Sequence, residues 1–549
     1  MGDIYVLMIF TIMLSPLSGL LLLPIWLMKR KFSRISVPVA ALLTGATLIP
    51  IGIITDRTTS LITLAKALLS QFAPIRDLID IPTYSAGETL KIWLVSDPFT
   101  IGAAMICLSL CLVLTHNGAA DQMLRAEKKR LSEKKKWTSD IDYLYDRNTA
   151  VIGVSGSGKG TMLTKIIEQC LEQDPETYFC VIDGKADVTD PYGFYNTMNY
   201  LAQKYDRELV VINGTATDLP GSCTYDPFQG LTAAEEIRDM ILTLMFSPDT
   251  ESNAGSEHYR MMFSRLLLQT ILIMQKYKVR ITIGNISKLL IKDNMDLLLN
   301  DPKREVSIAD REEMKKVIDT CYADAVSSIR KLEMFLMGSG KRMFQMRDDR
   351  QAVNARTAYR NNQLLLILID EMSMPEFSAG IGRLAVTDAR MLIAARMNGT
   401  IDKTRTARLI MDEFSSYACS NILSIMSRAR SSGTVAYLST QSVQDLTAIS
   451  PEFRDACFDN ISRFFFYRQN SPEAAEQVSS LIGTRPAVQE TLRSAEAMSM
   501  GEASNRLVHE FIVSPDDLKG LANQHGVMLN KMKSPVEIKW IVNTFVDMN

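Results

Sequence analysis

Three apolar runs without Asp, Glu, Lys or Arg stand at the front of the chain: Ile4 to Met28, Ile35 to Thr55 and Pro98 to Asn117, of 25, 21 and 20 residues. A helix rises about 1.5 Å per residue, so the first reaches roughly 37 Å, enough to cross a hydrocarbon core of about 30 Å with tilt. The pattern predicts three spanning helices within 1–117, about 4–28, 35–55 and 98–117; two spans plus an interfacial helix is the other reading. Trp26 and Trp93 lie near span ends, where indoles prefer the headgroup level. Met1-Gly2-Asp3 lacks the basic start of a cleaved signal peptide. Lys29, Arg30, Lys31 and Arg34 follow the first run, and Arg125, Lys128, Lys129, Arg130, Lys134, Lys135 and Lys136 follow the third. Positive charge stays inside, so both clusters and everything after Gly118 are expected in the cytoplasm. Between them Leu61, Leu64, Leu68, Leu69 and Phe72 share one helical face of an external loop, suited to an interface or to packing within the loop.

Behind a basic linker, 118–140, the pattern changes to short apolar runs of strand length alternating with helical periodicity. Asn148 to Val154, Leu364 to Asp370, Leu409 to Met411 and Thr434 to Thr440 read as buried strands. From 231 to 351 the pattern is almost wholly helical, with 3.6-period segments at Glu236–Phe246, His258–Tyr277, Ile286–Leu299 and Arg311–Phe335. An α/β fold interrupted by an all-α insertion follows, its two halves at 141–230 and 352–549.

Composition narrows the chemistry. A length of 549 residues suggests several domains. With 60 Lys+Arg against 62 Asp+Glu and 47% apolar residues, the chain is neither a disordered tail nor a basic nucleic-acid coat. Its mean hydropathy of +0.03 reflects the apolar front. Eight scattered Cys and four His, with no C-x-x-C and no H-E-x-x-H, argue against zinc hydrolysis and thiol catalysis. The region after residue 117 is net acidic, so any nucleic-acid contact must be local. The stretch 330–360 holds eight basic residues against three acidic ones; it reads equally as a phosphate-neutralising patch or as ordinary charged surface.

The segment Gly153-Val154-Ser155-Gly156-Ser157-Gly158-Lys159-Gly160-Thr161 sits between a strand and a helix, the order a P-loop requires. Glycines let the backbone wrap phosphate oxygens, the helix N-terminus adds its positive end, and Lys159 reaches the β- and γ-phosphates. The usual Ser or Thr after the lysine, which holds Mg2+, is here Gly160. A water, or Thr161 after a small shift, is expected in its place. Two apolar runs end in Asp-Glu: Leu364–Glu371 and Leu409–Glu413. The second is followed by a helix-like run to Gly433 and a strand tipped by Gln441, suited to sensing a γ-phosphate. Asp412 is therefore assigned to the metal and Glu413 to the attacking water, with Leu364–Asp370 as another buried strand of the same sheet.

With Val181-Ile-Asp183-Gly-Lys185, Tyr225-Asp-Pro-Phe228, Met411-Asp-Glu-Phe414, Ser514-Pro-Asp-Asp-Leu518 and the run ending at Gln441, the chain resembles the coupling-protein ATPases of type IV secretion and conjugation, the TraG/TraD family. The FtsK and HerA pumps are more distant relatives. The resemblance implies a RecA-like P-loop NTPase domain with an inserted all-α domain, behind transmembrane helices in the inner membrane. It also implies a homo-hexamer that uses ATP and Mg2+, with Arg430 as the arginine supplied to a neighbour's site and Arg428 as the fallback. Its expected partners are the lipid bilayer, secretion-channel membrane proteins, and a DNA/relaxosome or secreted protein substrate. An FtsK-like duplex translocase, and a membrane receptor that binds ATP for assembly only, are the competing functions. The first expects a linker and a winged DNA reader, whereas the residues after Gln441 are mostly needed to complete the ATPase fold. The retained Glu413, Gln441 and Arg430 argue against the second.

Overall fold

The computed structural model describes residues 135–143, 146–246, 254–493 and 502–548. The three apolar runs, the external loop and the linker up to residue 134 lie outside the described residues. Among the described residues no helix is long and apolar enough to cross a membrane.

The strands, in chain order, are β1 (Trp137–Thr138), β2 (Thr149–Ile152), β3 (Tyr178–Asp183), β4 (Leu209–Asn213), β5 (Thr224–Tyr225), β6 (Ala352–Val353), β7 (Leu364–Leu368), β8 (Ala407–Met411), β9 (Thr434–Thr440), β10 (Arg463–Phe466), β11 (Thr484–Arg493), β12 (Glu502–Phe511), β13 (His525–Asn530) and β14 (Glu537–Val542). Ten of them form one sheet in the order β1-β14-β13-β10-β2-β9-β8-β3-β7-β4. From β10 to β4 every pairing is parallel, and β13 closes antiparallel on both β10 and β14. Strands β2, β3, β7, β8, β9 and β10 are buried along their whole length, which is why they read as continuous apolar runs.

Alternation still sorts their side chains. Ile152, Ile182, Ile367, Met411 and Leu438 join one core with the helices Ala234–Met245, Pro375–Met397 and Asn421–Ser432. Val151, Val181, Leu366, Ile410 and Tyr437 join another with Lys159–Gln173 and Phe194–Lys204. The result is a three-layer α/β/α arrangement. The hairpin of β11 and β12 forms a separate two-stranded sheet and clusters in a different unit of the chain.

Between β5 and β6 the described chain is helical: Ala234–Met245, Ala254–Lys276, Ile283–Leu289, Lys292–Leu299, Ile308–Phe335 and Ser339–Phe344. The long helix Ile308–Phe335 buries Met314, Val317, Ile318, Cys321, Ala325, Ile329 and Leu332, a three-and-four spacing, largely against Ala254–Lys276. The insertion leaves and re-enters at one place because β5 and β6 pair in parallel, Thr224 beside Ala352. Asn354 caps the next helix and donates to Asp226 O at 2.8 Å and Gln229 O at 3.1 Å.

Four basic residues of the 330–360 stretch are committed within the fold. Arg356 is 4% exposed, ion-paired with buried Asp388 at 3.2 Å, and donates to Pro227 O. Arg342 donates to the carbonyls of Thr215 and Ala216. Arg350 pairs with Asp218 and Arg347 with Asp349. As a phosphate-neutralising patch, the stretch thus loses Arg356 to the interior and three more to local contacts.

Candidate functional site

The glycine loop joins the C-terminal end of β2 to the helix Lys159–Gln173. Its backbone is pinned from both neighbouring strands: Gly153 N donates to Thr440 O at 3.2 Å, and Val154 N to Arg468 O at 3.1 Å. Ser155 and Gly156 are exposed, whereas Ser157 is buried with its hydroxyl on Val154 O at 2.6 Å. Gly158 stands at φ +121°, and a side chain there would collide with Gln524 and Asn543. Lys159 opens the helix almost fully buried and folds its ammonium back onto Gly153 O at 2.7 Å. Gly160 and Thr161 lie half-buried on the first turn.

The parallel order sets β9 beside the loop strand β2, and β8 next to β9. Asp412 and Glu413 follow β8 directly, and Gln441 follows β9, so all three come out at the loop's end of the sheet. Asp412 is 2% exposed and accepts from Ser439 Oγ at 2.7 Å. Glu413, in a left-handed backbone turn at φ 49°, points one oxygen at Lys185 Nζ (3.2 Å) and Lys159 Nζ (3.8 Å). Gln441 Nε2 donates to its other oxygen at 3.3 Å. Asp370 instead follows β7, separated from β2 by β9, β8 and β3, and its carboxylate accepts from Ser373 N at 3.0 Å in its own turn.

Electrostatics follow from burial. Desolvation lowers the Lys159 ammonium below the usual lysine range, against the pull of Glu413 and Asp412. Burial raises Asp412, and burial together with Asp412 pushes Asp183 up to about 7. Lys185 is also desolvated, but Asp412 and Glu413 outweigh that and hold it above the ordinary value. Two buried carboxyls whose charged forms are disfavoured constitute a place where a divalent cation fits. Among the described residues no cluster of three or more His, Cys, Asp or Glu stands ready to cage a metal. A Mg2+ there would rely on nucleotide oxygens and water, with Asp412 as the side chain nearest the need.

Arg430 sits exposed in the last turn of Asn421–Ser432, and Arg428 is exposed on the same helix. No side-chain hydrogen bond or ion pair among the described residues joins either to the Lys159–Glu413 group. The sequence left other participants without a role. Asp183 and Lys185 appeared only within a family resemblance, and their contact with the second carboxylate pair needs the register of β3 against β8. Tyr467, Gln524 and Asn543, which hold the loop from behind, carry no local signal at all.

Residues 406–523 match the family described as the TraM recognition site of TraD and TraG, a span that includes Asp412, Glu413, Arg430 and Gln441. The chain resembles the TraG/TraD coupling ATPases. No curated protein sequence matches it. Among solved structures, the bacterial conjugative coupling protein TrwBdeltaN70 in an unbound monoclinic form aligns at a TM-score of 0.54 and 12% identity, over 77% of this chain and 92% of that one. The plasmid coupling protein TrwB in complex with ADP and Mg2+ aligns at 0.52 and 13%, over the same shares. TrwB with the non-hydrolysable ATP analogue ADPNP aligns at 0.51 and 13%, again over 77% and 92%. At such identity the likeness speaks for the fold, a mixed α/β architecture like that of TrwB.

Proposed function

We propose that this TraG/TraD-like chain is an inner-membrane coupling ATPase of a type IV secretion or conjugation system. It is held in the bilayer by residues 1–117 and drives DNA or nucleoprotein, or protein, toward a secretion channel. The observation that carries this reading is the convergence of Lys159, Asp412, Glu413 and Gln441 at one end of the parallel sheet. The Gly153–Thr161 loop binds the phosphates of ATP, with Lys159 leaving Gly153 O for the β- and γ-oxygens. Mg2+, where bound, neutralises phosphate charge, and Asp412 is the residue to hold it through water. Glu413 orients the attacking water, and Gln441, touching Glu413 already, reports on the γ-phosphate. Arg430, exposed at the end of its helix, is offered to the site of the next subunit in a hexamer, so that hydrolysis depends on assembly. The segment 406–523, by its likeness to a TraM recognition site, is where a relaxosome protein would dock.

The test is ATP hydrolysis by the purified full-length protein with single-stranded DNA, duplex DNA or neither. Lys159→Ala and Glu413→Gln are each expected to abolish turnover and transfer while membrane insertion persists. Turnover at the wild-type rate in either variant overturns the motor reading.

A further inference from the structure

Glu413 has a neighbour on each of its oxygens. Gln441 Nε2 donates to Oε2 at 3.3 Å, and two ammonium groups face Oε1, Lys185 at 3.2 Å and Lys159 at 3.8 Å. A carboxylate that is to accept the proton of an attacking water needs a lone pair free for it. Lys159 has another destination, the phosphates. Lys185 Nζ pairs with Glu413, and the nearby charges of Asp412 and Asp183 strengthen its hold.

Its placement is built in. Lys185 follows Gly184, whose missing side chain lets the turn lie against Glu413; a Cβ there would come within 2.8 Å of Glu413 Cβ and 3.1 Å of Asp412 O. Lys185 N donates to Asp183 Oδ1 at 3.0 Å, which fixes the start of the side chain. The ammonium reaches a side chain that is itself 5% exposed, while the lysine remains 44% exposed. The contact, Nζ to Oε1 at 3.2 Å, is an ion pair. It is a Coulombic hold on a buried carboxylate by a cation that solvent can reach, and such a hold is exchangeable.

We propose that Lys185 is a positioning residue that restrains Glu413, occupying the oxygen that would receive the water's proton until the phosphate backbone of the transported polymer draws the lysine away. The inference rests on the proposed ATPase reading and concerns the control of that same site. Lys185 touches no phosphate of the nucleotide in this scheme, so its loss should change turnover and leave ATP affinity alone.

The experiment measures ATP turnover of full-length Lys185→Gln and Lys185→Arg, with and without single-stranded DNA. Lys185→Gln is expected to raise the DNA-independent kcat by up to about fivefold, the scale of a half-exposed ion pair, and to shrink the stimulation by DNA. KM for ATP should stay within about twofold of wild type, and Lys185→Arg should restore the low basal rate. A basal rate that falls or does not change overturns the restraint. A rise in KM overturns it too, because it assigns Lys185 to nucleotide binding. Thermal melting of both variants excludes a folding defect, and Glu413→Gln run in parallel separates the two failures: if it turns over like wild type, the ATPase reading itself has failed.

Discussion

Truncating Asn543 to Ala should loosen the glycine loop from behind. Asn543 follows β14, 385 residues after Gly158, yet its Nδ2 donates to Gly158 O at 2.8 Å and to Gln524 Oε1 at 3.2 Å. Its Oδ1 accepts from Tyr467 OH at 2.7 Å. The three losses are unequal. Gly158 O keeps Met162 N at 3.0 Å, and half-buried Gln524 can turn to water. The Tyr467 hydroxyl is fully buried and would be stranded, at a cost of about 1–3 kcal/mol, with about 0.5–1.5 kcal/mol more for the bond to Gly158. Since every 1.4 kcal/mol is tenfold in binding, a loss of about 3 kcal/mol falling wholly on the loop weakens nucleotide affinity about 100-fold. Titration calorimetry of the full-length protein with ADP and Mg2+ reads this directly. Adding Tyr467→Phe removes the stranded donor, so the double variant should be better than the sum of the two singles by about 1 kcal/mol or more. Additive losses, or an Asn543→Ala affinity within about twofold of wild type, would refute the bracing argument.

Two further outcomes are expected. Asp412→Asn should eliminate ATP hydrolysis while Asp370→Asn leaves most of it, because only Asp412 lies at the end of a strand near the loop; the reverse result in a steady-state ATPase assay reassigns the metal carboxylate. Asp310 accepts from Lys276 Nζ, Ser307 Oγ and Tyr277 OH, which hold its carboxyl down at about 2. A depressed folded value stabilises above the unfolded pKa of about 3.9 and is lost as pH falls toward 2. The melting-temperature gap between wild type and Asp310→Asn should therefore be constant above about pH 5 and close between about pH 4 and 2. A gap that persists unchanged to pH 2 refutes it.

Elements with their own chemistry were readable from the sequence, and relations between distant elements were not. The strands of the parallel sheet announce themselves as apolar runs because both faces are covered, and the helical insertion by its period. Between the two Asp-Glu pairs the sequence offers a strand tipped by Gln441 after the second. The first is likewise followed by a helix and a strand, β8, tipped by Asp412 and Glu413, so it is the strand order, with one strand between β8 and β2 and three between β7 and β2, that sets them apart. What periodicity lacks is strand order. It cannot say that β13 and β14 return beside β10, and so it cannot bring Gln524 and Asn543 behind Gly158. Nor can it place Lys185, whose role depends on β3 lying next to β8.

Charge shows the same limit from the other side. A sequence window counts Arg342, Arg347, Arg350 and Arg356 as equal contributions to a basic patch, but burial and pairing remove them one at a time. Arg356 is the extreme case: paired with Asp388 and bonded to Pro227 O, it ties both ends of the helical insertion to the helix Pro375–Met397. Breaking a buried pair of this kind by removing one partner costs far more than a surface charge contributes. Arg356 therefore weighs more in holding the insertion than in gathering phosphates. For a chain whose region beyond residue 117 is net acidic, electrostatic contact with a nucleic acid would have to come from a few exposed cations. Lys185 is one of them, and it is already joined to the carboxylate that such contact would set free.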